Sequence, residues 1–258
     1  MVRSVSAPAA GGVQSLVRGF ELLEAIGEMG GEAGLSELAG RTGLAPGTTH
    51  RIVRTLVDLG YLRQVPSRRY TLGARLVRLG DTASKLLGRW ATPVLTDLVD
   101  TVGETANLAL LDGDRAVYVA QVPSPHSVRM FTEIGRRVPL HCTGVGKALL
   151  SLLPGAEVDA LIARTGLPAV TPTTITDPGA LRSELALARE RGWIRDEGEQ
   201  EAGVRCVAVA VPGPTGPVAV SVSGPQGRVD EAAMARIAPL VVAAARTLEE
   251  LLAGKVGA

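Results

Sequence analysis

Residues 35–72, LSELAGRTGLAPGTTHRIVRTLVDLGYLRQVPSRRYTL, read as two short helices joined by a tight turn and followed at once by a basic-tipped hairpin. That order is the layout of a winged helix-turn-helix, so duplex DNA is the first partner the sequence points to. Ser36 is expected to cap the first helix, Leu38 to face its core, and Gly43 to supply the flexible position that stops it. Leu44 to Pro46 make the turn, and Pro46 suits a first helical position whose N–H has no partner in any case. In the second helix Thr49, Ile52, Val53, Leu56 and Val57 recur at three- and four-residue steps and define one buried stripe. Gly47, Arg51 and Arg54 fall on the opposite face, with Thr48 and His50 beside them. Such a face can enter a major groove, with small hydroxyl residues at base edges and arginines on phosphates further along. Gly60 ends the helix, and residues 61–65 and 69–72 form a hairpin around Pro66-Ser67-Arg68. Its tip is expected to carry Arg68 and Arg69 to a neighbouring phosphate or minor groove.

Charge supports a division of labour. Residues 1–90 hold twelve Lys or Arg against seven acids, a balance of +5, whereas the rest of the 258 residues hold 15 against 19, a balance of −4. A basic front and an acidic back fit one domain that meets a polyanion and another that does not. Only Cys142 and Cys206 are present, without ligand-like or disulfide-dense spacing, which points to a reducing compartment and to no disulfide framework. Residues 1–12 read as a disordered small-residue tail without the apolar core of a signal peptide, and no apolar run reaches membrane-spanning length. A cytoplasmic protein is the expectation, with no membrane partner.

The remaining front part is helical. Residues 15–29 predict a helix with Leu16, Phe20, Leu23 and Ile26 inward, closed by Gly30-Gly31, which makes 13–73 the DNA-binding domain. Residues 74–90 predict a linker helix in which Leu76, Leu79, Leu86 and Leu87 alternate with Arg75, Arg78, Lys85 and Arg89, offering apolar positions to a partner chain. Residues 91–258 form the second domain. There, 104–111 and 115–122 make a hairpin around Asp112-Gly113-Asp114, and 127–134 read as a third strand. Helical patterns follow over 147–153, 158–165 and 179–191, then strands over 192–196, 204–211 and 217–223, and a last helix over 230–252. Strands, then helices, then strands again is an α+β order, most simply an antiparallel sheet flanked by helices.

Two segments of this domain carry chemistry. In His141-Cys142-Thr143-Gly144-Val145-Gly146-Lys147 the small residues let backbone N–H groups converge ahead of an apolar helix, a place that favours a carboxylate or phosphate. It is not a P-loop, because His141 stands where the first Gly is required and Ala148 replaces the magnesium-binding hydroxyl. The polar run 195–201 leads into Gly203-Val204-Arg205-Cys206, and Ser221 and Ser223, two apart, point to one side of a strand. If Asp196, Cys206 and the serines share a cavity with residues 143–146, they form a small polar pocket in an apolar wall, of the kind that holds small metabolites.

Four blocks, VQSLVRGFELLEAI, GTTHRIVRTL, PLHCTGVGKALL and GWIRDEGEQEAGVRCVAVAV, resemble in order and spacing the IclR family of bacterial transcriptional regulators, over nearly the whole chain from Val13 to Leu252. The resemblance implies a winged helix-turn-helix followed by a GAF-like effector domain, assembled as a homodimer or a dimer of dimers on operator DNA. It implies that Asp196, Cys206, Ser221 and Ser223 contact a small carboxylate such as glyoxylate or pyruvate, with Gly144, Val145 and Gly146 as backbone donors and Met130 as an apolar wall. The wording HSVRMFTEIGRRVPLHCTG is similar to that of allantoin-pathway repressors that sense glyoxylate.

Three alternatives stand beside this reading. Ser221 or Ser223 with His141 and Asp196, or Cys206 with His141, would make a hydrolase, yet no Gly-x-Ser-x-Gly is present, since position 219 is Ala. An activator of the same family with an aromatic or other acid effector is the second, and a scaffold whose front domain only dimerises is the third. His126, His141, Cys142 and Cys206 are scattered rather than spaced as metal ligands, so neither metal nor cofactor is expected.

Overall fold

Gly43 takes the left-handed conformation at φ 69° and Pro46 sits in the first turn of the helix beyond it, so the tight turn forms where the sequence puts it. In the computed structural model, residues 12–130, 132–214 and 216–255 are described, and the chain divides into the units Met1–Ala83 and Ser84–Ala258. The expected tail lies outside the described residues apart from Gly12.

The first unit contains α1 (Gln14–Glu28), β1 (Glu32–Ala33), α2 (Leu35–Thr42), α3 (Pro46–Asp58), β2 (Leu62–Gln64) and β3 (Tyr70–Leu72). The wing is a three-stranded antiparallel sheet in the order β1-β3-β2, one strand more than the hairpin expected. Leu22, Ile26, Leu38, Val53 and Leu62 close its core, and Thr49 is buried with its hydroxyl donated to the Ala45 carbonyl at 3.2 Å.

Two expectations need correction here. Leu16 and Phe20 do not face the core: they are 61% and 57% exposed, and Leu22 and Ala25 join the expected Ile26 and the partly buried Leu23 on the inward side. The apolar surface of α1 is wider than one stripe, so periodicity alone did not choose between its two edges. Ser36 does not cap α2. Gly34 is the N-cap, and Glu37 Oε2 accepts the Gly34 N–H at 2.7 Å, so a carboxylate in the first turn does the capping.

Helix α4 (Arg75–Leu87) runs across the division and is followed by a 3-10 turn at Arg89–Ala91. The second unit continues with α5 (Thr92–Val102), β4 (Thr105–Asp112), β5 (Arg115–Val122), β6 (Arg137–Pro139), α6 (Gly144–Ser151), α7 (Gly155–Thr165), α8 (Pro178–Arg191), β7 (Ile194–Glu197), β8 (Val204–Val211), β9 (Val218–Pro225) and α9 (Glu231–Lys255). Its strands form one six-stranded sheet, β6-β5-β4-β9-β8-β7, antiparallel throughout. The α+β architecture with helices on both faces is the expected one. Alternation sorts the faces: Val207, Val209, Val211, Val218, Val220 and Val222 pack with α5 and α9, each burial contributing on the order of 1.5–2 kcal/mol. Cys206, Ala208 and Ala219 turn to the opposite face, beneath α6 and α8. The third strand is not at 127–134, where the described residues are irregular; Phe131 lies outside them. The Gly135 N–H, at φ 91°, bonds the Tyr118 carbonyl and closes a turn, so pairing with β5 begins only at Arg137.

Candidate functional site

In the first unit the outward face of α3 is the one the sequence assigned. Gly47, His50, Arg51 and Arg54 are exposed and Thr48 is half-buried. No ion pair of Arg51 or Arg54 occurs among the described residues, so both guanidinium groups face solvent. Arg68 stands at the wing tip with φ 61°, its N–H bonded to the Val65 carbonyl and its side chain outward. Arg69 is placed differently from its neighbour. Its guanidinium pairs with Glu32 at 3.0 Å and with Glu37 at 2.8 Å, tying the β2–β3 hairpin to β1 and α2, and these carboxylates, Glu37 foremost, hold its pKa above the usual arginine value. Arg69 therefore braces the wing, and the tip presents Arg68 alone of the two.

In the second unit, register brings the sequence-assigned polar residues into line. Asp196 lies opposite Cys206, Cys206 opposite Ser223, and Ser223 opposite Thr105, one row across β7, β8, β9 and β4. The neighbouring row on the same face runs Ile194, Ala208, Ser221 and Asn107. Side chains directly opposite on one face stand roughly 5 Å apart, so these hydroxyls, the thiol and the carboxylate form one polar floor. The Cys206 thiol stands opposite Ser223 with Ser221 in the next row, and burial pushes it up to about 12. Asn107 accepts from Gln121 at 2.8 Å, and Thr105 donates to the Met130 carbonyl at 3.1 Å, which holds half-buried Met130 beside this floor.

Tyr118, Thr105 and Asn107 were not found by sequence reasoning. A bulge between Leu108 and Ala109 shifts the β4–β5 register, so Val119 stays with the α9 face and Tyr118 turns under α6 beside Asp196 and Cys206. No local signal marks a bulge in this stretch, whereas Thr105 and Asn107 alternate with Ala106 and Leu108 and were legible as a polar face.

Helix α6 covers the floor. Thr143 caps it, accepting the Gly146 N–H at 3.1 Å while donating to the Pro139 carbonyl at 2.7 Å, so the helix begins at Gly144 rather than Lys147. Gly144 is required for contact: a Cβ there would lie 2.6 Å from Cys206 Sγ. The three backbone donors expected at residues 144–146 are not all open, because Thr143 takes the Gly146 N–H, and the Gly144 N–H pulls on the nearby Asp196 carboxylate. Asp196 accepts the Glu199 N–H at 2.8 Å. Burial, followed by the Glu199 carboxylate, pushes Asp196 up to about 7 against the opposing pull of these N–H groups and Lys147.

Lys147 and Glu199, also missed by sequence reasoning, form a buried ion pair directly behind Asp196. The loop that carries Glu199 is tied down in turn: Thr171 and Thr173 donate to the Gly198 carbonyl at 2.7 and 2.9 Å, and Thr174 to the Glu199 carbonyl at 2.6 Å. The hydrolase alternative finds no geometry. His141 Nε2 meets the Pro168 carbonyl at 3.1 Å, burial lowers its pKa, and Cys206 lies in register with Asp196 and Ser223 rather than beside an imidazole. An arrangement of buried hydroxyls, a protonated thiol and one carboxylate can recognise a small polar molecule but lacks an activated nucleophile.

A helix-turn-helix unit with free arginines, joined to a sheet domain with a closed polar floor, defines a DNA-binding transcriptional regulator with an effector domain. Sequence models of the IclR helix-turn-helix domain and of the bacterial transcriptional regulator IclR C-terminal domain match residues 15–66 and 83–250. The chain belongs to the IclR family of bacterial transcriptional regulators. It is 37% identical over 248 residues to the transcriptional repressor IclR of Escherichia coli K12, covering 93% of this chain and 90% of that one. It is 34% identical over 230 residues to the E. coli transcriptional repressor AllR, covering 85% and 83%, consistent with the allantoin-pathway resemblance. Among solved structures, an IclR-type regulator from Alicyclobacillus acidocaldarius superposes with TM-score 0.82 at 26% identity, over 93% of this chain and 98% of that one. An IclR homologue from Microbacterium hydrocarbonoxydans, solved with 4-hydroxybenzoate, superposes with TM-score 0.75 at 25% identity, over 91% and 100%. No described helix is long and apolar enough to cross a membrane.

Proposed function

We propose that this regulator is a cytoplasmic repressor, a homodimer or dimer of dimers, which a small carboxylate such as glyoxylate or pyruvate releases from its operator. Gly47, Thr48, His50, Arg51 and Arg54 read the major groove, and Arg68 holds a phosphate beside it. The effector lies on Ser221, Ser223, Cys206 and Asp196, under the Gly144, Val145 and Gly146 backbone and against Met130. The observation that carries this reading is the row Asp196–Cys206–Ser223, a continuous polar strip that Ser221 and Asn107 widen in the neighbouring row, next to the small apolar Ala208 and Ala219. Pairing is supported by exposed Val13, Leu16 and Phe20 on and beside α1 and by Val77, Leu79 and Leu86 on α4, too many apolar side chains for a free surface.

An aromatic acid is the second reading, since a relative was solved with 4-hydroxybenzoate. The close approach of Gly144 to Cys206 leaves little depth for a ring and favours the smaller acid. Calorimetry of the full chain with glyoxylate, pyruvate and 4-hydroxybenzoate, paired with sedimentation, tests the proposal. Binding of a small acid by a dimer or tetramer supports it; a monomer at micromolar concentration, or silence with all three acids, contradicts it.

A further inference from the structure

The space between α6 and the sheet already contains an anion of its own, in the place an anionic ligand would take. Asp196 accepts the Glu199 N–H at 2.8 Å beside the start of α6, and Thr143 holds the Gly146 N–H. Behind it, Lys147 spends its charge on Glu199 Oε1, and Glu199 Oε2 is buried without a hydrogen-bond partner among the described residues. Asp196, Glu199 and Lys147 together carry one negative charge in excess when all are ionised, against which α6 offers about half a positive charge from its N-terminus. A bound carboxylate would bring a second uncompensated charge into a place closed to water, which is strongly disfavoured.

Resting on the carboxylate reading above, we infer that the site takes its effector as a monoanion together with one proton, and refuses dianions. The ligand carboxylate lies beside Asp196 at the start of α6; a proton from solvent joins the Asp196 carboxylate, which then donates it as a hydrogen bond to the ligand. No bond of the ligand is made or broken, and the charge of the site is unchanged by binding. Asp196 becomes the residue that sets charge selectivity.

The groups that face Asp196 leave it as the proton's place. Lys147 from α6 pairs with Glu199, and its charge opposes the burial that raises the Glu199 pKa. Cys142 ahead of α6 and Cys206 on β8 are both pushed up to about 12, and burial also raises Tyr118 on β5, so all three stay neutral. Arg115 and Arg136 act on Cys142 and Tyr118, and His141 turns to the Pro168 carbonyl.

The test is calorimetry on the full chain from pH 6 to 8.5 with glyoxylate, with pyruvate and with oxalate, a dianion similar in size to glyoxylate, each in two buffers of different ionisation enthalpy. Near pH 8 the glyoxylate heats are expected to differ between buffers by about one proton taken up per ligand, and Kd to rise roughly tenfold per pH unit above pH 7. Oxalate is expected to bind at least about 30-fold more weakly than glyoxylate. Asp196→Asn, which needs no proton, is expected to bind glyoxylate with buffer-independent heats and a flat pH profile. Wild-type heats that match between buffers with a pH-independent Kd, or oxalate binding as tightly as glyoxylate, overturn the inference. No heat from glyoxylate or pyruvate at any pH overturns instead the carboxylate reading on which it rests.

Discussion

Lys147 and Glu199 form an ion pair with side chains 1% and 5% exposed, one on the helix that covers the sheet and the other in the loop that follows β7. It joins two segments 52 residues apart directly behind Asp196. Removing one partner strands a buried charge. Lys147→Met is expected to lower unfolding stability by about 3 kcal/mol, and Lys147→Met with Glu199→Leu to recover much of that loss. Urea unfolding of the two variants checks this; equal losses would show that the pair contributes attraction beyond its own desolvation.

The arginines of the first unit are expected to act in three distinct ways. Arg51→Ala should cost about 1–3 kcal/mol at one base position of a preferred duplex. Arg68→Ala should weaken all duplexes alike and flatten the salt slope by about one unit. Arg69→Ala should leave the salt slope unchanged and lower thermal stability, because its guanidinium is committed to Glu32 and Glu37. Anisotropy titrations at several salt concentrations separate the three.

Asp196 sets a pH dependence of known sign. Its folded pKa of about 7 lies above the unfolded carboxylate value, so the native state binds more protons between roughly pH 4 and 7, and stability falls as pH rises through that window. Asp196→Asn should remove this fall. The stability of the variant relative to wild type is expected to improve by on the order of 2–4 kcal/mol between pH 4 and pH 8. Chemical unfolding of both proteins across that range decides it, and parallel curves would contradict the assignment.

Gly144→Ala places a methyl 2.6 Å from Cys206 Sγ and 3.3 Å from its Cβ. The covering helix must lift, at a cost of about 1–3 kcal/mol. Cys206→Ala in the same chain should restore part of the loss, since the nearer contact is with the sulfur; melting of the single and double variants measures it.

Local chemistry was legible and distant register was not. Gly43, Pro46 and the Thr49–Val53 stripe announce the helix-turn-helix because each acts within one or two turns. Ser221, Ser223 and Cys206 were readable because a strand repeats every two residues. Tyr118 was hidden by a bulge, and Lys147 and Glu199 by 52 residues of intervening chain. Arg69 looked like its neighbour Arg68 because its acidic partners lie 37 and 32 residues earlier in the chain. Residues 127–134 have strand-like composition, yet the turn that ends on the Gly135 N–H leaves the described residues among them outside the β5 ladder.

The central claim is that ligand in the second unit controls DNA held by the first. It is tested most directly by titrating glyoxylate and pyruvate into the complex of the full chain with a duplex that it enriches from a random pool, for wild type and Ser223→Ala. The account predicts that at least one of the acids releases DNA from the wild type, and that the variant binds the duplex equally well but needs at least about tenfold more ligand for release. Release at the same concentration from both proteins, or a wild-type complex that neither acid disturbs, would contradict it.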